Sequence, residues 1–273
     1  MAPPNARGAW AARLQAVSAQ DWIAGGCLAL VIALSWLWLF NDEAGMRSAA
    51  DMAAMPGMAP TGPALFAAYV PPTFVMWLLM MVAMMLPSAA PFVLLYARFA
   101  RQQGPAGGGW GPVTAFAGAY IGVWAGFSLI AAIAQWALVR SGAVSAMTQA
   151  LGDHRIAGGL LIAAGLYQLT PLKRACIQAC QAPLSFLMRY WRPGWRGALR
   201  LGLRHGVYCL GCCWAMMALL FVGGVMSLAW IAGLALLVLI EKLSPAGREL
   251  GLAAGVLMTA AGVLLALGVV AIR

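Results

Sequence analysis

The stretch Met76-Trp-Leu-Leu-Met80-Met81-Val-Ala-Met84-Met85-Leu-Pro87-Ser-Ala-Ala-Pro91 decides the fold class of this chain. It belongs to an apolar segment, about residues 72–96, that exceeds the roughly 20 residues a helix needs to cross a bilayer. Its methionines recur at helical spacing, so one broad helix face carries thioether sulfur. The two prolines are expected to kink or break this helix inside the membrane. The methionine face can pack as ordinary apolar core, and its thioethers can also bind a soft metal. The methionines that would line a metal path are Met80, Met81, Met84 and Met85.

The composition indicates that such segments recur along the chain. The apolar set makes up 63% of the 273 residues, charged residues make up 9%, and the mean hydropathy is +0.86. These values lie far outside the range of soluble domains. We therefore predict an all-α bundle in the bacterial inner membrane, with the N-terminus in the cytoplasm and the C-terminus outside. The seven predicted spans lie at about residues 21–40, 72–96, 112–139, 156–169, from 205, 227–243 and 250–272.

The distribution of charge predicts the topology. The net charge is +10, but the Lys and Arg residues are gathered in short loops, which is the positive-inside signal of a membrane protein rather than a sign of nucleic-acid binding. We predict a cytoplasmic segment over residues 1–21 and a single transmembrane domain over residues 22–273. That domain contains a Met-rich outer loop, 41–72, and a basic cytoplasmic loop, 171–204. The lipid bilayer is the first predicted partner.

Two helical patterns predict how parts of the bundle pack. Basic and apolar residues alternate between Ala175 and Trp191, which predicts one amphipathic helix in the plane of the cytoplasmic interface. In the third span, glycines recur at four-residue spacing, and such a row is expected to let another helix approach closely. These glycines are Gly118, Gly122 and Gly126.

A cysteine-rich stretch, His205-Gly-Val-Tyr-Cys209-Leu-Gly-Cys212-Cys213, is predicted at the cytoplasmic mouth of the fifth span. It holds three of the six cysteines and one of the two histidines, and helical spacing aligns them on one face. Thiolates bind Cu(I) and Zn(II) tightly, and nearby basic residues favour the thiolate form. We expect the pair on the amphipathic helix to complete the site. The predicted ligands are Cys176, Cys180, Cys209 and Cys213, with His205 and Cys212 as further candidates.

Two other features extend the metal hypothesis. Met52, Met55 and Met58 recur at intervals of three in the outer loop, where thioethers are suited to collecting Cu(I). The same composition also fits a low-complexity linker. Glu241 ends the sixth span beside Lys242. It either reaches water there or supports the thiol ligands as a hydrogen-bond partner or proton acceptor.

Three blocks of the sequence resemble a bacterial family of predicted metal-binding integral membrane proteins. They are the methionine stretch from Trp77 to Pro91, the segment Tyr167–Lys173 with Cys176 and Cys180, and the segment Gly202–Trp214. The resemblance covers roughly residues 72–268. It implies a membrane fold and a metal site, and it supplies no reaction, because the family is classed as a domain of unknown function.

Together these patterns predict a protein that handles a soft metal, above all Cu(I), with zinc as a second candidate. Transfer, transport and a static site serving assembly of a copper enzyme all fit, and a copper chaperone or a copper enzyme is the expected protein partner. A role without catalysis is favoured over an enzyme. Two alternatives stay open: a membrane thiol-disulfide oxidoreductase using Cys209 and Cys212, and a structural subunit of a membrane complex. Because the sequence contains no G-x4-G-K-[ST] loop, an ATP-driven pump is excluded.

Overall fold

The computed structural model describes residues 19–53, 63–102, 110–145 and 149–270. Over these ranges the chain forms helices joined by turns and contains no strand, which confirms the all-α prediction. The helices are α1 (Ala19–Ala53), α2 (Pro63–Gln102), α3 (Trp110–Arg140), α4 (His154–Leu169), α5 (Pro171–Gln181), α6 (Pro183–Tyr190), α7 (Gly194–Ala218), α8 (Leu220–Gly223), α9 (Leu228–Leu243) and α10 (Gly247–Ala266).

Five segments are long and apolar enough to cross a membrane. They are Gln20–Asn41, Tyr69–Gln102, Trp110–Arg140, Gly194–Gly223 and Gly247–Ala266. Helices α4 and α9 have 16 residues each, about 24 Å at 1.5 Å per residue, which is shorter than a hydrocarbon core of about 30 Å. The described chain is therefore a helical protein with five membrane-capable segments, and the predicted count of seven is not reached.

The first two long helices run antiparallel and are tied together at one end. Asp21, near the start of α1, is 5% exposed and forms ion pairs with Arg98, at 3.3 Å, and with Arg101 near the end of α2. A buried carboxylate with two guanidinium partners is well compensated. The ion pairs bring the start of the first predicted span and the end of the second to the same end of the bundle.

The predicted outer loop 41–72 is shorter than expected. Helix α1 continues to Ala53 and α2 begins at Pro63. An Ala-rich sequence without proline favours helix up to this point, and Pro56 with Gly57 follows. Helix α2 then runs through Pro87 without the expected break. Tyr120 from α3 and Ser88 both donate hydrogen bonds to the Met85 carbonyl near this proline, at 3.4 and 2.9 Å.

The predicted interfacial helix is interrupted. It forms two short helices, α5 and α6, which are separated at Ala182. Pro183 causes the interruption, because a proline disfavours helical backbone in the residue before it, and Ala182 has φ −116° and ψ 62°. Thr170 caps α5 by accepting a hydrogen bond from the Lys173 amide, and Pro171 occupies the first turn.

Glycines do mediate close helix packing, but in α4 and α10 rather than in α3. A Cβ added to Gly158 would lie 2.6 Å from the Gly262 carbonyl oxygen, and one added to Gly165 would lie 2.7 Å from that of Gly255. The two backbones therefore touch at two levels along their length. This contact fixes α10 directly against α4.

The predicted packing face of α3 is wrong within this chain. Its three glycines are exposed, and a Cβ on any of them would meet nothing within 4 Å. Helix α3 turns its opposite side inward, where Phe116, Tyr120 and Trp124 are at most 2% exposed. Large aromatic side chains bury more apolar surface than a glycine row, so they decide which face of the helix meets the core.

Candidate metal centre

The methionine face of α2 points into the centre of the bundle. Met80, Met81, Met84 and Met85 are at most 1% exposed, and Met216 and Met217 of α7 are equally buried. All six belong to one apolar core together with Cys209, Cys212 and Cys213. The bundle interior is therefore lined with sulfur from two facing helices.

The three α7 cysteines are buried in the middle of the bundle. Their side chains are at most 2% exposed, and the Sγ of Cys213 lies 3.6 Å from the Sδ of Met85. Because α7 begins at Gly194 rather than near His205, Cys209 lies halfway along the apolar segment Gly194–Gly223. Their predicted position at the mouth of a span stays a prediction, because Arg196, Arg200 and Arg204 precede them on the same helix.

Helix α5 brings one of its two cysteines into this cluster. The Cys180 thiol interacts with those of Cys209 and Cys212, and these interactions together with burial raise its pKa well above the usual value. Cys176 lies against Gly211, whose added Cβ would be 2.9 Å from the Cys176 Sγ. Burial raises the pKa of Cys176 as well.

A lysine completes the cluster, and the sequence analysis missed it. Lys242 was assigned to the cytoplasmic boundary, but it is 3% exposed and its Nζ donates to the Cys209 Sγ at 3.0 Å. The Met85 Sδ lies 3.7 Å and the Cys213 Sγ 3.9 Å from the same nitrogen. Ser88 accepts a hydrogen bond at 3.3 Å, and the Tyr120 hydroxyl is 3.1 Å from Cys209. The signal in the sequence was a lysine in an apolar helix whose other charged residue is Glu241.

We define the sulfur cluster as Met85, Cys180, Cys209, Cys212 and Cys213. Soft thiol and thioether donors of this kind suit Cu(I). Over the described ranges, no three His, Cys, Asp or Glu side chains are gathered tightly enough to chelate an ion as they stand. The Lys242 ammonium lies among the sulfurs instead, so a metal bound there would displace it from part of this position.

A comparison with known protein families agrees with the soft character of the cluster. A family model named PpoB2 and described as a copper chaperone matches residues 74–265, well over half of the chain. The chain belongs to this family. No curated protein and no solved structure matches it. Family membership supports the prediction of copper handling in general and, in part, the resemblance to a metal-binding family.

The part of the chain that matches the PpoB2 family contains the whole sulfur cluster and Lys242. It excludes the predicted metal-collecting methionines of the outer segment. Met52 lies in the last turn of α1, and Met55 and Met58 lie outside the described residues. Their predicted role therefore stays a prediction based on composition.

Glu241, which was predicted to support the thiol ligands, lies apart from the sulfurs. Glu241 is 2% exposed, and its carboxylate binds Lys173 at 2.6 Å and Gln168 at 2.8 Å rather than a thiol. It does not pair with the neighbouring Lys242. Lys173 was predicted in the solvated basic loop, but it is 3% exposed, because this buried carboxylate draws it into the interface of α5 and α9.

His205 is buried in an aromatic cage. Its ring stacks on Phe92 with centroids 4.1 Å apart, and Tyr120 lies 5.6 Å away on the side of the thiols. Its Nδ1 has no hydrogen-bond partner among the described residues. Tyr120 is therefore close to both groups, since its ring stacks on the imidazole and its hydroxyl contacts the Cys209 thiol.

Proposed function

We propose that this member of the copper chaperone family binds Cu(I) inside the membrane and passes it to a copper-requiring partner. The observation that carries the proposal is the contact of Cys213 with Met85, 3.6 Å between sulfurs, inside a buried cluster with Cys209. Thioethers bind Cu(I) without losing a proton, and thiolates bind it tightly, so this pair of helices presents a strong soft-metal site.

In this proposal the chain crosses the bacterial inner membrane seven times, with its N-terminus in the cytoplasm. The five long segments are joined by α4 and α9, which would cross as short spans. Close packing of α4 on α10 supports this arrangement, because a helix in direct backbone contact with a long apolar helix shares its surroundings. The concentration of basic residues after α5 favours a cytoplasmic position for α6.

Copper would move along the sulfur-lined interior. Met52, Met55 and Met58 would collect the ion, the methionines of α2 would conduct it, and the sulfur cluster would hold it. Burial of the α2 methionines supports this part of the route, since it would keep the ion away from lipid there. In this scheme His205 and Cys176 are additional candidate ligands outside the sulfur cluster. Glu241 holds α5 in place through its ion pair with Lys173.

Burial argues against the oxidoreductase alternative. Thiol-disulfide exchange requires a partner thiol to reach the attacked sulfur, and Cys209 and Cys212 are 1% and 2% exposed. Mixed disulfides with thioredoxin-like proteins trapped on a Cys212→Ser variant would favour that alternative over copper binding. Zinc stays the second candidate metal, because the same thiolates bind it.

We expect the purified protein to bind one Cu(I) per chain under reducing conditions and a Cys209→Ser, Cys213→Ser variant to bind none. The reason is that the variant removes the thiol that contacts Met85 and the thiol that contacts Lys242, and it keeps side-chain size. Titration against a chromophoric Cu(I) chelator measures this. Cys27→Ser is the matched control, because Cys27 is an exposed cysteine on α1. Unchanged binding in the double variant, or an equal loss in the control, would contradict the proposal.

A further inference from the structure

We propose that Lys242 selects the charge of the metal, so that the site accepts monovalent soft ions and discriminates against divalent ones. This inference rests on the proposed Cu(I) site and concerns its specificity. Lys242 lies at the centre of the donor set, with its nitrogen 3.0 Å from Cys209 and within 4 Å of Met85 and Cys213. A buried ammonium among metal donors adds a fixed positive charge to whatever ion binds there.

No carboxylate offsets that charge. Glu241 is adjacent in sequence, but both of its carboxylate oxygens are used by Lys173 and Gln168. Among the described residues, no Asp or Glu oxygen lies within 4.0 Å of the Lys242 nitrogen. The sulfurs are therefore the groups that can balance the ammonium.

The charges of the site then favour a monovalent ion over a divalent one. With Cys209 and Cys213 bound to the ion as thiolates, Cys180 and Cys212 as neutral thiols and Met85 as a neutral thioether, the ligands and the Lys242 ammonium carry a net charge of minus one. A monovalent ion brings the site to zero, whereas a divalent ion leaves an uncompensated positive charge in a buried, apolar interior. Such a charge is costly, because the interior solvates it poorly.

Hydrogen-bond geometry indicates that the ammonium remains near the site when a metal binds. Ser88 accepts from Lys242 at 3.3 Å, on the same turn of α2 as Met85. The lysine can turn toward this hydroxyl and leave the space between the sulfurs without leaving the cluster. The positive charge thus stays close to the bound ion.

The test compares metals that differ in charge but share soft character. Affinities for Cu(I) and Ag(I) are measured against those for Zn(II) and Cd(II) in the purified full-length protein, by competition with chromophoric chelators. We expect Lys242→Leu, which is neutral and cannot bind metal, to shift the ratio of affinities toward the divalent ions by roughly 100-fold, and Lys242→Arg to keep the ratio within about tenfold.

Controls separate this inference from the proposed function and from misfolding. Lys242→Gln retains polarity without charge and should behave as Lys242→Leu does, so it replaces that variant if the apolar one does not fold. Absence of Cu(I) binding by the parent protein would overturn the proposed function. Binding by the parent with an unchanged ratio in both neutral variants, or a shift of equal size in Lys242→Arg, would overturn only the role of Lys242.

Discussion

Replacing Lys173 with Met is expected to destabilise the protein by about 3–5 kcal/mol. The substitution leaves the Glu241 carboxylate buried at 2% exposure, with Gln168 as its remaining side-chain donor. A buried charge that loses its partner costs more than a lost surface contact, because the interior solvates it poorly. The free energy of unfolding in mixed detergent micelles, followed by circular dichroism, measures the loss.

A double variant and a surface control show whether the ion pair is the cause. Lys173→Met combined with Glu241→Leu removes both charges, so it should recover most of the stability. Arg174→Met is the matched control: Arg174 is the exposed neighbour of Lys173, and its loss should cost less than about 0.5 kcal/mol. If the double variant were as unstable as the single one, the packing of these side chains would be responsible rather than their charge.

The ion pair also bears on the sulfur cluster, because it joins two helices that carry residues of that site. Lys173 and Cys180 are seven residues apart on α5, so they share one helical face, with the buried Ile177 between them. Glu241 precedes Lys242 on α9. The ion pair therefore fastens the helix that carries Cys180 to the helix that carries the ammonium. Loss of the pair should loosen Cys180 first.

The second large effect is expected at the contact of α4 with α10. Gly158→Ala would place a methyl group 2.6 Å from the Gly262 carbonyl oxygen, a distance that side-chain rotation cannot relieve. The helices must separate, and we expect a loss of about 2–3 kcal/mol. Gly165→Ala should cost a similar free energy, because its added Cβ would lie 2.7 Å from the Gly255 carbonyl oxygen. The unfolding midpoint in detergent measures both.

Gly122→Ala in α3 is the matched control, since it is the same substitution in a helix of similar character. An added Cβ meets nothing within 4 Å there, and Ala is a better helix former than Gly by about 1 kcal/mol. We expect neutral or slightly increased stability. A loss at this position as large as that at Gly158 would indicate that the α3 glycine row packs against another chain.

The sequence allowed the fold class and the inward face of α2 to be predicted for simple reasons. Apolar length identifies helices that can cross a membrane, and a methionine row at helical spacing lies on one face whatever surrounds it. The count of seven spans is not confirmed for a reason of length: α4 and α9 have only 16 residues each. The helix-period signal was correct there, but the threshold for crossing was not met.

For the candidate site, the sequence predicted which cysteines come together but not where the lysines lie. Spacing within one helix brought Cys209 and Cys213 together, and the pairing of Cys180 with them followed from the hypothesis that α5 folds back over α7. Lys173 and Lys242 were assigned to the cytoplasmic side because they belong to the positive-inside pattern of basic residues. Both are buried, because each has a partner on another helix, the thiol of Cys209 for one and Glu241 for the other.

By itself, the sequence determined that this chain is helical, membrane-capable and rich in soft donors on particular helix faces, since these properties depend on composition and on the helical repeat. Only the tertiary structure decided which faces meet. It turned the aromatic side of α3 inward instead of the glycines, joined Met85 to Cys213 across two helices, and set Lys242 among the sulfurs. The physical reason is that a helix fixes the spacing of its own side chains, whereas contacts between helices depend on the packing of the whole bundle.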